Sequence, residues 1–237
     1  MPRMAQDQGA GRVAVVTGGA GTIGGSITAT LAAAGHKVAI VDREGEFACD
    51  LAQESEVRRV AGAILQRHGR CDVLVHAAAA LAQATLAELD RATWRCVQAV
   101  GVESALWLCQ ELTPGMAERG FGRVVLIVSD TVWDPPSPAL LAYVASKAAL
   151  IGAARVLART LGPSGITVNC VAPGLTRTPA AQAAMPQEAF ESVRSRQAIP
   201  RTLAPQDVAD PVAFLASDAA SAITGQTLCA DGGLVLR

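Results

Sequence analysis

The segment RVAVVTGGAGTIG, residues 12–24, decides the fold. Its first part, Arg12–Val16, is a β-branched apolar run that predicts a buried strand, and a glycine-rich turn then leads into a predicted helix over Ser26–Ala34. Glycines let the backbone turn tightly and approach a pyrophosphate, whose charge is stabilised by the N–H groups and dipole at a helix N terminus. The segment therefore predicts a nucleotide-binding unit, although any tight strand-to-helix turn can use such glycines.

Apolar runs and helix-period segments alternate along the rest of the chain. Strands are predicted at Lys37–Val41, Asp72–Val75, Arg123–Val128, Ile166–Val171 and Gln226–Ala230, and helices at Gln53–His68, Ala92–Glu118, Tyr143–Leu161 and Gln206–Ser217. This alternation implies right-handed βαβ units, a parallel sheet and helices on both faces. Only Asp134–Pro138 and Thr176–Pro205 are predicted to be irregular. We expect one α/β domain over residues 1–237, with residues 1–11 forming a flexible N terminus.

Composition narrows the classes of function. Of the 237 residues 51% are apolar, and a formal charge of −1 provides no basic field that favours nucleic acid or an anionic membrane as a partner. The long apolar segment Ala139–Ala158 is interrupted by Lys147 and Arg155, so no membrane-spanning helix is predicted. The N terminus lacks the apolar run of a secretion signal. Six cysteines without a Cys-x-x-Cys pair indicate reduced thiols in the cytoplasm and no metal site.

An acidic residue follows the glycine turn at the distance along the chain that is typical of a carboxylate that binds ribose. Asp42 ends the second predicted strand roughly 20 residues after the turn, where a carboxylate can accept hydrogen bonds from the adenosine ribose of a dinucleotide. The same carboxylate repels the 2′-phosphate of NADP, which favours NAD. Arg43 is a contrary sign, because a guanidinium can pair with that phosphate. The structural alternative for Asp42 is a solvated turn acid.

Tyr143 and Lys147 form a pair suited to proton transfer. Tyr143 is the only tyrosine, and residues four apart share a helix face. A free tyrosine has a pKa near 10, too high to take an alcohol proton readily at neutral pH, and a nearby ammonium favours the phenolate. Ser129 follows the strand Arg123–Val128 at the edge where parallel sheets bind ligands. The structural alternative for Tyr143 and Lys147 is an ordinary pair on a helix surface. For Ser129 it is a hydroxyl that hydrogen-bonds the neighbouring backbone.

With these features the chain resembles the short-chain dehydrogenase/reductase family. The matching motifs, in family order from Arg12 to Leu234, are TGGAGTIG (17–24), Asp42, CDL (49–51), YVASK (143–147), NCVAPG (169–174) and DGG (231–233). The resemblance implies a Rossmann-type, doubly wound parallel sheet of about seven strands and a nicotinamide cofactor. It also implies a homotetramer built on the two long helices and the C-terminal region.

The resemblance further implies roles for individual residues. Ser129 would hydrogen-bond the substrate oxygen, Tyr143 would transfer the proton, and Lys147 would hold the nicotinamide ribose and lower the tyrosine pKa. Thr131 is the rival hydroxyl if the register slips. The remaining implied cofactor contacts are Gly18, Gly21, Thr22, Ile23, Asp42, Asp50, Leu51, Ala77, Ala78, Pro173, Gly174, Thr176 and Thr178. Trp133, Leu140 and Met185 are expected to line the substrate pocket.

The sequence departs from the family pattern at several places. Thr22 stands where a glycine is usual, and the usual Asn-Asn-Ala-Gly is replaced by HAAA, residues 76–79. A structural histidine is the simpler interpretation of His76. Gly101 occupies the position of a catalytic asparagine. Two explanations for the glycine are left open: it provides space for a water or the substrate, or close helix packing requires a small residue. The short segment between Asp42 and Asp50 predicts that the usual helix there is short or missing.

Together these observations predict an NAD-dependent oxidoreductase that interconverts a secondary alcohol and a ketone on a hydrophobic or cyclic small molecule. One alternative is an NADP-dependent carbonyl reductase. Another is a cofactor-binding scaffold or sensor that has lost turnover, which the missing asparagine favours and the retained Ser129, Tyr143 and Lys147 oppose.

Overall fold

Seven parallel strands form one sheet in the computed structural model, which describes residues 11–236. They are β1 (Val13–Thr17), β2 (Lys37–Asp42), β3 (Phe47–Ala48), β4 (Val73–His76), β5 (Gly122–Ile127), β6 (Ile166–Pro173) and β7 (Thr227–Ala230), in the spatial order β3-β2-β1-β4-β5-β6-β7. The strand order reverses between β1 and β4, which creates the crevice where open α/β sheets bind ligands. The expected doubly wound fold is confirmed. Most of the predicted flexible N terminus, residues 1–10, lies outside the described residues.

Helices cover both faces of the sheet. They are α1 (Thr22–Ala33), α2 (Glu54–His68), α3 (Arg91–Gln98), α4 (Ser104–Glu118), α5 (Leu141–Leu161), α6 (Pro179–Ala184), α7 (Gln187–Arg196) and α8 (Gln206–Ala216). One core layer packs α2, α4 and α5 on the sheet, and includes Val57, Leu108 and Leu150. The other packs α1 and α8, and includes Ile27 and Val212. The central strands β1, β4, β5 and β6 are therefore buried throughout.

The structure corrects one sequence prediction about an irregular segment and adds a short strand. The region Thr176–Pro205, predicted to be irregular, contains α6 and α7. α7 buries only Phe190, so its apolar period is too weak to read from the sequence. The strand β3 has only two residues and was not predicted individually. No helix lies between β2 and β3, as the short spacing indicated.

The helix α5 is long and apolar enough to meet the length and composition criterion for a membrane span, although no such segment was expected. In this fold it packs on β6 as a core helix. Ser146, Lys147, Leu150 and Ala154 are among its buried residues. The criterion alone is weak, because apolar core helices also meet it.

The turn between β1 and α1 requires glycine at two positions. Gly18 has a φ of +66°, and a Cβ there would lie 3.0 Å from Cα of Ala78. A Cβ on Gly24 would lie 2.0 Å from the carbonyl oxygen of Gly18. Thr22 is already the first residue of α1, so the threonine that replaces a usual glycine takes a helical conformation. The close approach of α1 to the turn therefore depends on Gly24.

We expect Gly24→Ala to lower the free energy of unfolding by about 3 kcal/mol, because its new methyl group meets backbone that cannot move independently. The melting temperature should fall by roughly 6–12 °C for a chain of this size. Gly25→Ala is the matched control, since its Cβ would lie 3.7 Å from the nearest heavy atom. Alanine at that position should be neutral or stabilise the helix by about 1 kcal/mol. Equal melting temperatures for the two variants would contradict the packing argument.

Candidate active site

The carboxyl edge of the sheet gathers the polar residues that the sequence singled out. Thr17 at the end of β1 is in register with His76 at the end of β4. Ser129 lies two residues after the end of β5 and caps the 3₁₀ turn Asp130–Val132. The long helix α5 passes this edge, and the ammonium of Lys147 donates to the carbonyl oxygen of Ile127 at 2.7 Å. That hydrogen bond fixes the reactive face of α5 against the end of β5.

Ser129, Tyr143 and Lys147 lie together at this edge. The Nζ of Lys147 lies 5.5 Å from the centre of the Tyr143 ring, as the four-residue spacing predicts. The Ser129 hydroxyl faces the phenol and acts to lower the pKa of Tyr143. Thr131, the rival hydroxyl, instead lies 3.0 Å from Ser129 Oγ and donates to it. The geometry thus favours Ser129 as the hydroxyl nearest the phenol, with Thr131 behind it.

Burial dominates the electrostatics of the pair. It raises the pKa of Tyr143, and the negative charge of Asp130 adds to this effect. Burial also lowers the pKa of Lys147 to about 8, since only 1% of the residue is exposed. Burial therefore sets the direction of the Tyr143 pKa shift, and the expected lowering of that pKa by the Lys147 ammonium stays a prediction.

Asp130 is a site residue that sequence reasoning missed. Ser129 Oγ donates to its carboxylate oxygen Oδ1 at 3.3 Å, and 6% of the residue is exposed. Burial, followed by the negative charge of Asp231, raises the pKa of Asp130 to about 6. An acidic residue after a strand-end serine gives no sequence signal of burial, because aspartates in such turns are mostly exposed.

The glycine turn forms a cradle that fits the pyrophosphate of a dinucleotide. α1 begins after Gly21 with no side-chain cap and no acidic residue in its first turn, so the positive end of the helix faces the turn. The carboxylate of Asp42 accepts from the N–H of Ala20 at 3.0 Å and from that of Arg43 at 2.8 Å. A side chain at Gly18 or Gly24 would collide with neighbouring backbone atoms, so the turn can pack this closely only with glycine at both positions. The residues present therefore fit the cofactor that the sequence implies.

The other predicted cofactor contacts surround this cradle. Thr17 Oγ1 accepts from the N–H groups of Ala77 and Ala78, which places both residues beside Gly18. Asp50 is exposed and caps its own turn by accepting from Ala52 N, whereas Leu51 is buried. The adjacent residues Thr22 and Ile23 form the first turn of α1.

The predicted nicotinamide-side loop follows β6. Pro173 ends the strand, and Gly174 donates its N–H to the carbonyl oxygen of Ala230 at 3.0 Å. Thr176 is buried, and its hydroxyl donates to Gly174 O at 3.0 Å. Thr178 caps α6 by accepting from Ala181 N at 3.1 Å. The Thr178 hydroxyl therefore has a structural partner, and its proton and one lone pair stay available to a ligand.

His76 braces the sheet where the family's asparagine is missing. Its Nδ1 lies 3.0 Å from Thr17 Oγ1. That hydroxyl already accepts from Ala77 and Ala78, so its single proton is directed to Nδ1, and the neutral imidazole carries its proton on Nε2. The bond joins the ends of β1 and β4. Burial, reinforced by the positive charge of Lys147, lowers the pKa of His76 to about 3.

Gly101 lies in a π-helical segment, Ala99–Glu103, that connects α3 to α4. The predicted helix Ala92–Glu118 is thus one helical run with a wide turn in it, a feature frequent at functional sites. A Cβ on Gly101 would lie 3.2 Å from Ser146 Oγ and 3.4 Å from its Cβ. Gly101 and Val100 also turn carbonyl groups toward His76. Of the two alternatives for Gly101, this packing favours the need for a small residue.

The predicted substrate-pocket residues lie on the segments that flank Tyr143. Trp133 follows the 3₁₀ turn and is partly buried, Leu140 precedes α5 and is buried, and Met185 lies between α6 and α7. Arg196 at the end of α7 pairs with Asp134, which joins these two segments. A cavity of about 370 Å³ lies elsewhere, against β7, and is lined by Thr227, Cys229, Asp231, Gly233, Val235 and Leu236.

Comparison with known proteins agrees with this geometry. Residues 18–235 match a family model described as enoyl-(acyl carrier protein) reductase. D-threitol dehydrogenase from Mycolicibacterium smegmatis is 31% identical over 96% of this chain and 94% of its own. The 3-oxoacyl-[acyl-carrier-protein] reductase FabG of Thermotoga maritima is 33% identical over 95% and 98%. A short-chain type dehydrogenase/reductase from Mycobacterium ulcerans superposes with a TM-score of 0.88 at 29% identity, covering 97% of this chain and 92% of that one.

The fold and site define a dinucleotide-binding oxidoreductase domain. The chain belongs to the short-chain dehydrogenase/reductase family. It is a nicotinamide-dependent oxidoreductase by that membership.

We expect Gly101→Asn to lower the free energy of unfolding by about 1–3 kcal/mol without raising kcat, because the new side chain overpacks the contact with Ser146. Gly152→Asn is the matched control: it places the same side chain on α5, where a Cβ would meet nothing within 4 Å. Thermal melts and turnover rates check both variants. A higher kcat at unchanged stability would show instead that the asparagine restores a missing proton relay.

Proposed function

We propose that the protein interconverts a secondary alcohol and a ketone with NAD as its hydride carrier. The observation that carries the proposal is the placement of Ser129, Tyr143 and Lys147 together at the carboxyl edge, beside the glycine cradle. Those are the hydroxyl, phenol and ammonium that such a reaction needs near one substrate oxygen. Names of relatives support the oxidoreductase class, since D-threitol dehydrogenase acts on a polyol by name and FabG on an acyl-carrier-protein substrate.

In the proposed mechanism Tyr143 is the general acid–base. When the alcohol is oxidised, its phenolate takes the hydroxyl proton, and when the ketone is reduced, the phenol returns it. Ser129 holds the substrate oxygen beside the phenol. A bound nicotinamide ring supplies hydride acceptance or donation at the carbon. Lys147, whose ammonium donates to Ile127 O, would orient the ribose hydroxyls. While Lys147 is protonated, its positive charge lies near the phenol.

NAD is proposed over NADP because of the charges at the end of β2. Asp42 lies at the turn, and the next described acids along the chain, Glu44 and Glu46, are exposed beside it. Arg43 is the opposing cation, yet its backbone N–H, not its guanidinium, is what contacts Asp42. Glu46 pairs with Arg67, which leaves Asp42 and Glu44 as the carboxylates that repel a 2′-phosphate against the attraction of the Arg43 guanidinium.

The proposed substrate is a hydrophobic or cyclic small molecule. Trp133, Leu140 and Met185 supply apolar surface on the segments around Tyr143.

The proposed homotetramer is supported by partly exposed apolar side chains on α3, α5, α8 and β7, namely Trp94, Val156, Phe214 and Leu228. Light scattering measures that assembly. Cys49, Cys71, Cys96, Cys109 and Cys170 are free thiols, which supports the proposed reducing, cytoplasmic location.

The test is NADH formation over a panel of apolar secondary alcohols, repeated with NADP. We expect kcat/KM to be higher with NAD. Tyr143→Phe should lower kcat by at least about 100-fold, because general acid–base catalysis contributes that much or more. Its binding of NADH, followed by fluorescence, should persist because the cradle and Lys147 remain.

Three outcomes contradict parts of the proposal. A higher kcat/KM with NADP overturns the cofactor assignment. A Tyr143→Phe variant that retains more than roughly a tenth of kcat overturns the role of Tyr143. Cofactor binding without turnover of any substrate in the panel supports the scaffold alternative.

A further inference from the structure

Asp130 is a buried carboxylate in contact with Ser129. It opens the 3₁₀ turn after β5, and 6% of it is exposed. Within residues 11–236 no lysine or arginine nitrogen forms an ion pair with it. Burying a carboxylate without a cation costs free energy. The carboxylate accepts a backbone hydrogen bond from Thr131, which offsets part of that cost, and its contact with Ser129 points to a role in the reaction.

The hydrogen bonds of Ser129 decide where its proton points. Ser129 Oγ accepts from Thr131 N at 3.3 Å and from Thr131 Oγ1 at 3.0 Å, and it donates to Asp130 Oδ1 at 3.3 Å. A hydroxyl has a single proton, and a carboxylate is a stronger acceptor than a neutral carbonyl oxygen. The Tyr143 phenol also takes a hydrogen bond from Ser129, which acts to lower the pKa of the phenol. While Asp130 is ionised, its carboxylate therefore competes with the phenol and with a ketone for the one proton of Ser129.

We propose that Asp130 is a positioning residue that controls the proton of Ser129. Ionised, it holds that proton away from the substrate; protonated from solvent, it releases the proton for donation to a ketone oxygen. This inference rests on the proposed function, because it assumes that Ser129 contacts the substrate oxygen. This role of Asp130 predicts that ketone reduction becomes faster at lower pH because a group other than Tyr143 takes up a proton.

The charges around Asp130 place its ionisation in a useful range. Burial and the charge of Asp231, which follows β7, raise the pKa of Asp130 to about 6, and Asp134 acts in the same direction. The hydrogen bond from Ser129 opposes the rise. Asp134 pairs with Arg196 from α7, and from α5 the facing groups are Tyr143 and Lys147. Asp130 therefore changes charge between mildly acidic and neutral pH.

The same carboxylate acts on Tyr143. Its negative charge raises the pKa of the phenol, because two anions so close repel each other. Removing the charge must lower the pKa of Tyr143. Since Tyr143 is the only tyrosine of the chain, its titration can be followed by tyrosinate absorbance without any substrate.

The first experiment is this titration in Asp130→Asn, with Asp134→Asn as the matched control on the same loop and Tyr143→Phe as the blank. We expect the pKa of Tyr143 to fall in Asp130→Asn and to stay unchanged in Asp134→Asn, whose charge does not contribute to it. An unchanged pKa in Asp130→Asn overturns the proposal. If Asp130→Asn does not fold, Asp130→Ser removes the same charge.

The second experiment is the pH profile of kcat/KM for ketone reduction. The wild type should lose activity as the pH rises through about 6, and Asp130→Asn should lack this limb. Near pH 8 the kcat/KM of the variant should be about 10-fold higher than that of the wild type. The upper limit is roughly 100-fold, because pH 8 lies about two units above the pKa of Asp130. Persistence of the limb in Asp130→Asn overturns the proposal. If the wild type reduces no ketone, the proposed function fails, and a lowered Tyr143 pKa still supports the link between Asp130 and Tyr143.

Discussion

Parallel pairing of the central strands is the constraint on which the site depends. Because β1, β4, β5 and β6 all run in one direction, their carboxyl ends meet along a single edge. The register places Thr17 beside His76, and the hydrogen bond between them locks that edge. From it follow the position of Ser129 after β5 and the anchoring of Lys147 on Ile127 O. A slip in the register of one of these strands would separate the reactive groups.

Desolvation sets the charge state of every reactive group at this edge. It raises the pKa values of Asp130 and Tyr143 and lowers those of Lys147 and His76, so each shift favours the neutral form. With pKa values of about 8 and about 6, Lys147 stays mostly protonated and Asp130 mostly ionised at neutral pH, whereas Tyr143 and His76 are neutral. A bound cofactor and substrate therefore meet groups that can accept or release protons at modest cost, which is what acid–base chemistry at that pH requires.

The sequence predicts the fold well where burial leaves a periodic pattern. The central strands are β-branched runs, and α2 and α5 show clear helical periods, so their positions agree with the structure within about two residues. The two-residue β3, and α7 with its single buried Phe190, leave no such pattern. The roles of Tyr143 and Lys147 are predicted from their four-residue spacing together with the family resemblance, because the spacing alone equally fits a surface pair. Asp130 was not, because its burial and its contact with Ser129 arise from tertiary packing.

The departures from the family pattern are coupled through one small region. The carbonyl groups of Val100 and Gly101 face His76, and Gly101 packs against Ser146, which is adjacent to Lys147. A Cβ on Gly101 would lie 3.2 Å from Ser146 Oγ, so the π turn leaves little space for a side chain at this position. Both departures therefore bear on the packing around Lys147, as changes in a close-packed interior must. Loss of the asparagine is then part of a repacked site that keeps Lys147 in place, and not by itself a sign of lost catalysis.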